Sequence, residues 1–203
     1  DDQVRFRGAQ FDAGLALVHL PEGSGGLGGN RGQQAVIDGI LRANGVTYED
    51  LRINPIGIGM GLPTVLAYGS DELKEKHLRR IFTGEDIWCQ LFSEPTHGSD
   101  VAGIPSRAVR DGDEWVINGT KLYITNGTQA DWLCLLARTS DDGGYRGMSQ
   151  IVVPTDTPGF SVSRNLKKMG MWSSDTAELS FVDVRVPVAN TIGDEGKGFQ
   201  QQM

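Results

Sequence analysis

The chain has 203 residues, of which 38% are hydrophobic and 22% charged. That is enough for one large domain or two small ones with a sizeable core, and it excludes a disordered chain. A net charge of −7 gives little attraction to polyphosphate surfaces, so nucleic acid is not an expected partner.

Cys89 and Cys134 are too few for a disulfide framework and read as reduced core thiols of a cytoplasmic protein. Neither lies in a Cys-x-x-Cys pattern, and His19, His77 and His97 are widely spaced, which argues against zinc. No run of 18 apolar residues is present, so no membrane-spanning helix is expected. Residues 1–5 lack the charged and apolar regions of a signal peptide.

Helical spacing dominates up to about residue 88. Residues 18–20 could form a short strand before Gly23-x-Gly25-x-x-Gly28, which matches the dinucleotide fingerprint as a string. Pro21-Glu22 and residues 29–32 interrupt the required strand–glycine–helix order, and no run of βα units follows. A flexible loop between helices is the better reading. Residues 33–43 carry Ala35, Val36, Ile40 and Leu41 at helix period. An apolar stretch at 56–68 is punctuated by Gly57, Gly59 and Gly61. Ser70 is a candidate N-cap, with Asp71 and Glu72 in the first turn and Leu73, His77 and Ile81 on one face.

After residue 100 the period becomes two. Strands are expected at 107–110, 115–117, 120–125, 132–138, 149–153, 160–164 and 177–184, with a turn at Asp111-Gly112 and Asn118-Gly119 as a hairpin turn. That is an antiparallel β unit of roughly seven strands. Residues 193–200 read as a loop opening a further helix.

Residues 90–100 join the two halves. Hydroxyls, a proline and a glycine imply bent backbone with amides outside any ladder, which suits a polar heterocycle or a phosphate. The same composition suits an ordinary linker.

Four segments, in order, resemble the acyl-CoA dehydrogenase family: Ser93-Glu94-Pro95-x-x-Gly98-Ser99-Asp100; Asn118-Gly119-x-Lys121-x-Tyr123-Ile124-Thr125-Asn126-Gly127; Lys168 through Leu179; and Asp183-Val184-Arg185-Val186-Pro187 with Gly193-x-x-Gly196-Lys197-Gly198-Phe199. Pro21-Glu22-x-x-Gly25-Gly26-Leu27-Gly28-Gly29 also looks like that family's helical-domain loop.

The resemblance implies an α+β fold: an N-terminal α-helical domain (1–88), an antiparallel β-barrel or sandwich domain (89–190), and a linker (191–203) opening a C-terminal helical domain that lies outside this sequence. It implies FAD, with Gln90, Leu91, Phe92, Ser93 and Ser99 along one side and Tyr123, Ile124 and Thr125 along another. Phe92 and Ser93 would give amides to the pyrimidine edge, Tyr123 would cover a ring face, and Thr125 would reach toward N5. Ser99 would also touch substrate, and residues 56–62 would line the acyl pocket.

The implied reaction is α,β-desaturation of an acyl-CoA thioester to trans-2-enoyl-CoA in lipid metabolism such as β-oxidation. An electron-transferring flavoprotein would be the acceptor, and the protein would be a homo- or hetero-oligomer. The family's catalytic glutamate belongs to the C-terminal bundle, so no catalytic residue is assigned, and Glu94 reads as structural. Thr96-His97 stands where the family has small residues, and Tyr123 where it more often has Trp. Two other readings stay open: a nicotinamide enzyme, and a non-catalytic subunit of a heteromer.

Overall fold

The computed structural model describes residues 2–46 and 53–202. Helix α1 (Asp2–Asp12) is followed by α2 (Arg31–Ala43). The Asn30 side chain accepts from the Gly32 and Gln33 N–H groups, and Gln33 returns a bond to the Asn30 N–H. This capping box starts α2 two residues earlier than the apolar spacing suggested. The apolar stripe is present but buries nothing: Val36 and Ile40 are 63% and 58% exposed.

A π-helical turn at Gly57–Gly61 leads into α3 (Leu62–Tyr68). Ser70 caps α4 (Asp71–Thr83) as expected, its Oγ accepting the Leu73 N–H at 3.3 Å, and Gly84 ends the helix in the left-handed region with φ 81°. Leu73, His77 and Ile81 share the buried face of α4. Within 56–62, Ile58 and Leu62 fill the helical core.

Residues 18–20 form turns rather than a strand. The Gly25 carbonyl accepts from the Ala16 and Leu17 N–H groups, and the Leu27 N–H donates to the Val18 carbonyl. The glycine-rich segment is therefore a loop hydrogen-bonded back onto the chain between α1 and α2.

The strands are β1 (Trp88–Leu91), β2 (Arg107–Asp111), β3 (Glu114–Thr125), β4 (Trp132–Arg138), β5 (Met148–Pro154), β6 (Phe160–Asn165), β7 (Thr176–Pro187) and β8 (Thr191–Ile192), followed by a short α5 (Gly198–Gln202). They form one sheet in the order β6-β7-β3-β2-β4-β5-β8, with β1 also paired to β4. Pairing is antiparallel except for β1 with β4 and β2 with β4. The β2–β4 join is a single residue pair, Arg107 with Arg138. Side chains from both sides of that join, among them Leu91, Trp115, Leu133, Ile151, Leu179 and Val184, enclose one core.

Strands β4 and β5 are buried on both faces. Leu133 and Leu135 face the β core, while Cys134 and Val152 pack with Leu62, Ile81 and Phe82 of the helical layer. Burial on two sides explains why these segments read as nearly continuous apolar runs.

Two strand expectations are corrected. Asn118-Gly119 is not a hairpin: β3 runs straight through it, with a register shift against β7. Asn118 exchanges two 3.0 Å hydrogen bonds with Asp183 on β7. A Cβ on Gly119 would lie 2.0 Å from Ser106 Oγ, so this glycine serves close approach at a bulge. The reversal between β2 and β3 is at Gly112-Asp113, one residue beyond the expected turn at Asp111-Gly112, with Asp111 paired to Glu114. The second correction concerns number. The two expected strands 115–117 and 120–125 are one, and β1 and β8 were not expected, so the described residues form eight strands.

His77 is fully buried between Trp88 and Trp132, its ring centroid 5.0 and 4.5 Å from theirs in edge-to-face contacts. Neither ring nitrogen has a hydrogen-bond partner among the described residues. Burial, reinforced by Lys76, pushes its pKa down from 6.5 to about 4. The folded protein therefore resists a proton that the unfolded chain accepts. Its stabilising contribution is complete above about pH 6.5 and is lost as the pH falls toward about 4. His77→Phe removes the titration without removing a hydrogen bond. Urea unfolding at pH 7 and pH 4.5 is expected to show a smaller acid loss for this variant than for the wild type; equal losses would refute the assignment.

Candidate functional site

Strand β1 delivers the chain to the junction and then stops pairing. Leu91 is fully buried in the β core. Gln90 lies on the other face, where its Nε2 donates to the Cys134 carbonyl at 3.3 Å and to Gln202 Oε1 at 3.0 Å, while its own Oε1 is buried with no partner among the described residues. Beyond Leu91, the Phe92 and Ser93 N–H groups donate no hydrogen bond among the described residues. Residues 94–97 then form a tight turn. The Glu94 N–H donates to the His97 carbonyl at 2.8 Å, and the His97 N–H donates to the Glu94 carbonyl at 3.1 Å. Ser99 is exposed just beyond it.

The second segment is the end of β3. Tyr123 has φ 64°, an uncommon conformation for a non-glycine residue, and lies at a second register shift against β7. This kink overrides simple alternation. Lys121 is buried, yet Tyr123, two residues on, is 68% exposed. Ile124 is buried against Ala177, and half-buried Thr125 pairs with Thr176. Exposed Tyr123 and half-buried Thr125 thus flank buried Ile124 at the end of the strand.

A hydrogen bond joins the two segments: the Leu122 N–H donates to the Ser93 carbonyl at 2.9 Å. The structure therefore brings Phe92 and Ser93 beside 122–125. It keeps Leu91 in the core and Gln90 on the face toward α5. Among the described residues, no hydrogen bond ties Ser99 to either segment.

The group that organises this junction was quoted in the sequence motif but given no role. Lys121 Nζ donates to Glu94 Oε1 at 2.7 Å, to the Leu136 carbonyl at 2.8 Å and to the Phe92 carbonyl at 3.1 Å. Both side chains of the ion pair are essentially inaccessible, at 0% and 1%. Burial pushes the Lys121 pKa down to about 8, with Glu94 acting in the opposite direction. Glu94 also accepts the Ser106 N–H at 3.2 Å. Glu94 is consequently structural, as the sequence suggested. The neighbours in sequence do not signal the pair: Glu94 lies between Ser93 and Pro95, and Lys121 between Thr120 and Leu122. The Cys89 and Cys134 thiols are pushed far up by burial and supply no nucleophile.

A cleft opens beside Tyr123, lined by Arg164, Leu166, Lys167, Lys168 and Thr176. Trp172 and Asp175 border its continuation. Unspent amides, a hydroxyl, an exposed aromatic ring and nearby cations together suit a flat, hydrogen-bonding, anionic ligand.

Residues 4–85 match the N-terminal domain of acyl-CoA dehydrogenases, and residues 89–184 match the middle domain. The chain belongs to the acyl-CoA dehydrogenase family. It is 40% identical over 195 residues to the cyclohexane-1-carbonyl-CoA dehydrogenase of Syntrophus aciditrophicus, covering 95% of this chain and 50% of that protein. A probable acyl-CoA dehydrogenase from Mycobacterium abscessus superposes with a TM-score of 0.77 at 41% identity, over 98% of this chain and 52% of that one. The ChsE4–ChsE5 complex from Mycobacterium tuberculosis superposes with a TM-score of 0.77 at 32% identity, over 99% and 50%. The chain spans about half the length of the curated relatives it matches. Homologous dehydrogenases of this family are oxidoreductases, and no described helix is long and apolar enough to cross a membrane.

Removing one partner of a buried ion pair strands the other charge, at a cost of about 3–5 kcal/mol. Lys121→Met is therefore expected to destabilise by that amount. Lys121→Met combined with Glu94→Gln should recover more than half of the loss. Urea unfolding of the three proteins decides this, and a single variant as stable as the double would show that the pair is not coupled.

Proposed function

We propose that this chain forms the N-terminal and middle parts of an FAD-dependent acyl-CoA dehydrogenase that desaturates an acyl-CoA thioester to the trans-2-enoyl-CoA. The observation that carries the reading is the pairing of two unspent amides, Phe92 and Ser93, with a strand end that presents Tyr123 and Thr125 beside them. These groups fit a flavin's pyrimidine edge, ring face and N5. When bound, FAD would supply the hydride acceptor for the substrate's β-hydrogen.

This chain's own residues would bind and orient. The Phe92 and Ser93 amides and the Ser93 hydroxyl would stabilise negative charge at the pyrimidine edge, which favours reduction. Tyr123 would cover one ring face, and the Thr125 hydroxyl would donate near N5. Gln90, Leu91 and Ile124 would support the site through backbone and packing, since Leu91 and Ile124 are core residues. Ser99, exposed at the end of the loop, would meet the cofactor's diphosphate or the CoA moiety. The glycines at 23–28 sit in an interhelical loop without a preceding strand, which counts against a nicotinamide cofactor there.

An electron-transferring flavoprotein would receive the electrons, in a homo- or hetero-oligomer. A second reading is a non-catalytic subunit of a heteromer; the likeness to the ChsE4–ChsE5 complex supports the heteromeric part of that reading.

The full-length protein is expected to purify with the visible absorption of a flavin or to acquire it on titration with FAD; a protein that stays colourless would sink the proposal. Thr125→Val keeps the shape and removes the hydroxyl. It is expected to slow single-turnover flavin reduction by about 10²-fold while changing FAD affinity much less. Collapse of affinity with unchanged reduction would assign Thr125 to binding instead.

A further inference from the structure

Phe92 and Ser93 share one peptide group, whose oxygen belongs to Phe92 and whose N–H belongs to Ser93. The oxygen accepts from Lys121 Nζ at 3.1 Å. The N–H donates to nothing among the described residues. A peptide whose oxygen accepts from a cation is polarised, and its N–H becomes a stronger donor. Here the cation is fully buried, so no water competes for it. Its direction is fixed, because Glu94 and the Leu136 carbonyl take its other two donors. The next peptide is held as well, since the Ser93 carbonyl accepts the Leu122 N–H at 2.9 Å. The 92–93 peptide is therefore oriented from both ends and polarised from one.

We infer that Lys121 is a positioning residue for the flavin, acting through the Phe92–Ser93 peptide to strengthen the Ser93 N–H as a donor to the reduced cofactor. This rests on the flavin reading above. The reduced ring gains negative charge at the edge that the N–H faces, so a stronger donor favours the reduced over the oxidised form. The effect passes through the peptide bond rather than through space. Glu94 lies 2.7 Å from Nζ, and the pair is neutral when viewed from further away.

That neutrality makes the test specific. In the full-length, flavin-loaded protein, Lys121→Met with Glu94→Gln leaves the net charge unchanged and removes the donor to the Phe92 carbonyl. The flavin midpoint potential and the affinity for oxidised FAD are measured for this variant and the wild type. Oxidised FAD is expected to bind within a few-fold of wild type. The preference for reduced flavin should fall about tenfold, which for a two-electron couple is about 30 mV more negative. A merely structural role would weaken both redox states alike and leave the potential in place, and that result would overturn the inference. Should the double variant not fold, Lys121→Gln with Glu94→Gln decides. It keeps a neutral donor at the Phe92 carbonyl, so its potential must also lie below wild type, and a wild-type value overturns the inference. A wild-type protein that takes up no flavin overturns the flavin reading and this inference together. A flavin-loaded wild type whose variant keeps its potential overturns this inference alone.

Discussion

The junction of this fold is built around one buried ammonium. Taking a lysine out of water costs several kcal/mol unless oxygens replace its hydration shell. Lys121 finds three, on Phe92, Glu94 and Leu136. They come from two elements besides its own strand: the segment after β1, and β4. The Glu94 carboxylate then reaches a fourth segment through the Ser106 N–H at the start of β2. Moving the loop away from the sheet would strand a charge in apolar surroundings. The loop is therefore held by the cost of the alternative as much as by the bonds themselves.

That constraint matters because the sheet is weakly joined where the ion pair sits. Only Arg107 and Arg138 pair β2 with β4. Elsewhere the two sides meet through side chains in a common core. Strand β4 lies between that core and the helical layer, where His77 is wedged against Trp88 and Trp132. The helices and β core therefore fix β4, β4 gives the Leu136 carbonyl to Lys121, and Lys121 fixes the loop. Phe92 and Ser93 are bent backbone, yet they are carried by rigid elements. Unspent amides can stay in one place only on such support.

Much of this was readable from residue pattern, and what was missed has identifiable causes. The Ser70 cap, the buried face of α4, the apolar runs of β4 and β5, and the shift from helical to strand period all follow local rules that tertiary contacts reinforce. Asn118-Gly119 failed because its turn chemistry was spent on a bulge. Asn118 bonds Asp183 across the sheet, and Gly119 makes room for Ser106. The α2 stripe was seen at the right period, but period does not say whether a partner covers the face. Strand β1 straddles the start of the junction segment, and its four residues carry too little pattern to be distinguished. The left-handed backbone at Tyr123 breaks the alternation that a strand reading assumes, so the burial of Lys121 could not be read from its neighbours. An ion pair between residues 27 apart in sequence leaves no periodic trace at all.

The turn at Thr96-His97, where the family resemblance implies small residues, accommodates two larger side chains. The turn is defined by two backbone hydrogen bonds between Glu94 and His97, and neither depends on side-chain size. Thr96 Oγ1 lies 2.8 Å from His97 Nδ1, so the two larger side chains bond each other. The far edge of the imidazole lies over Gly103, where a Cβ would be only 2.4 Å from its Cδ2 and 2.5 Å from its Nε2. The bulk at position 97 is thus taken up by the missing side chain at position 103, the last residue of the short helical turn Val101–Gly103. Because Glu94 is anchored separately by Lys121, the turn's orientation is set at its buried end. What changes at its exposed end is the chemistry that it presents.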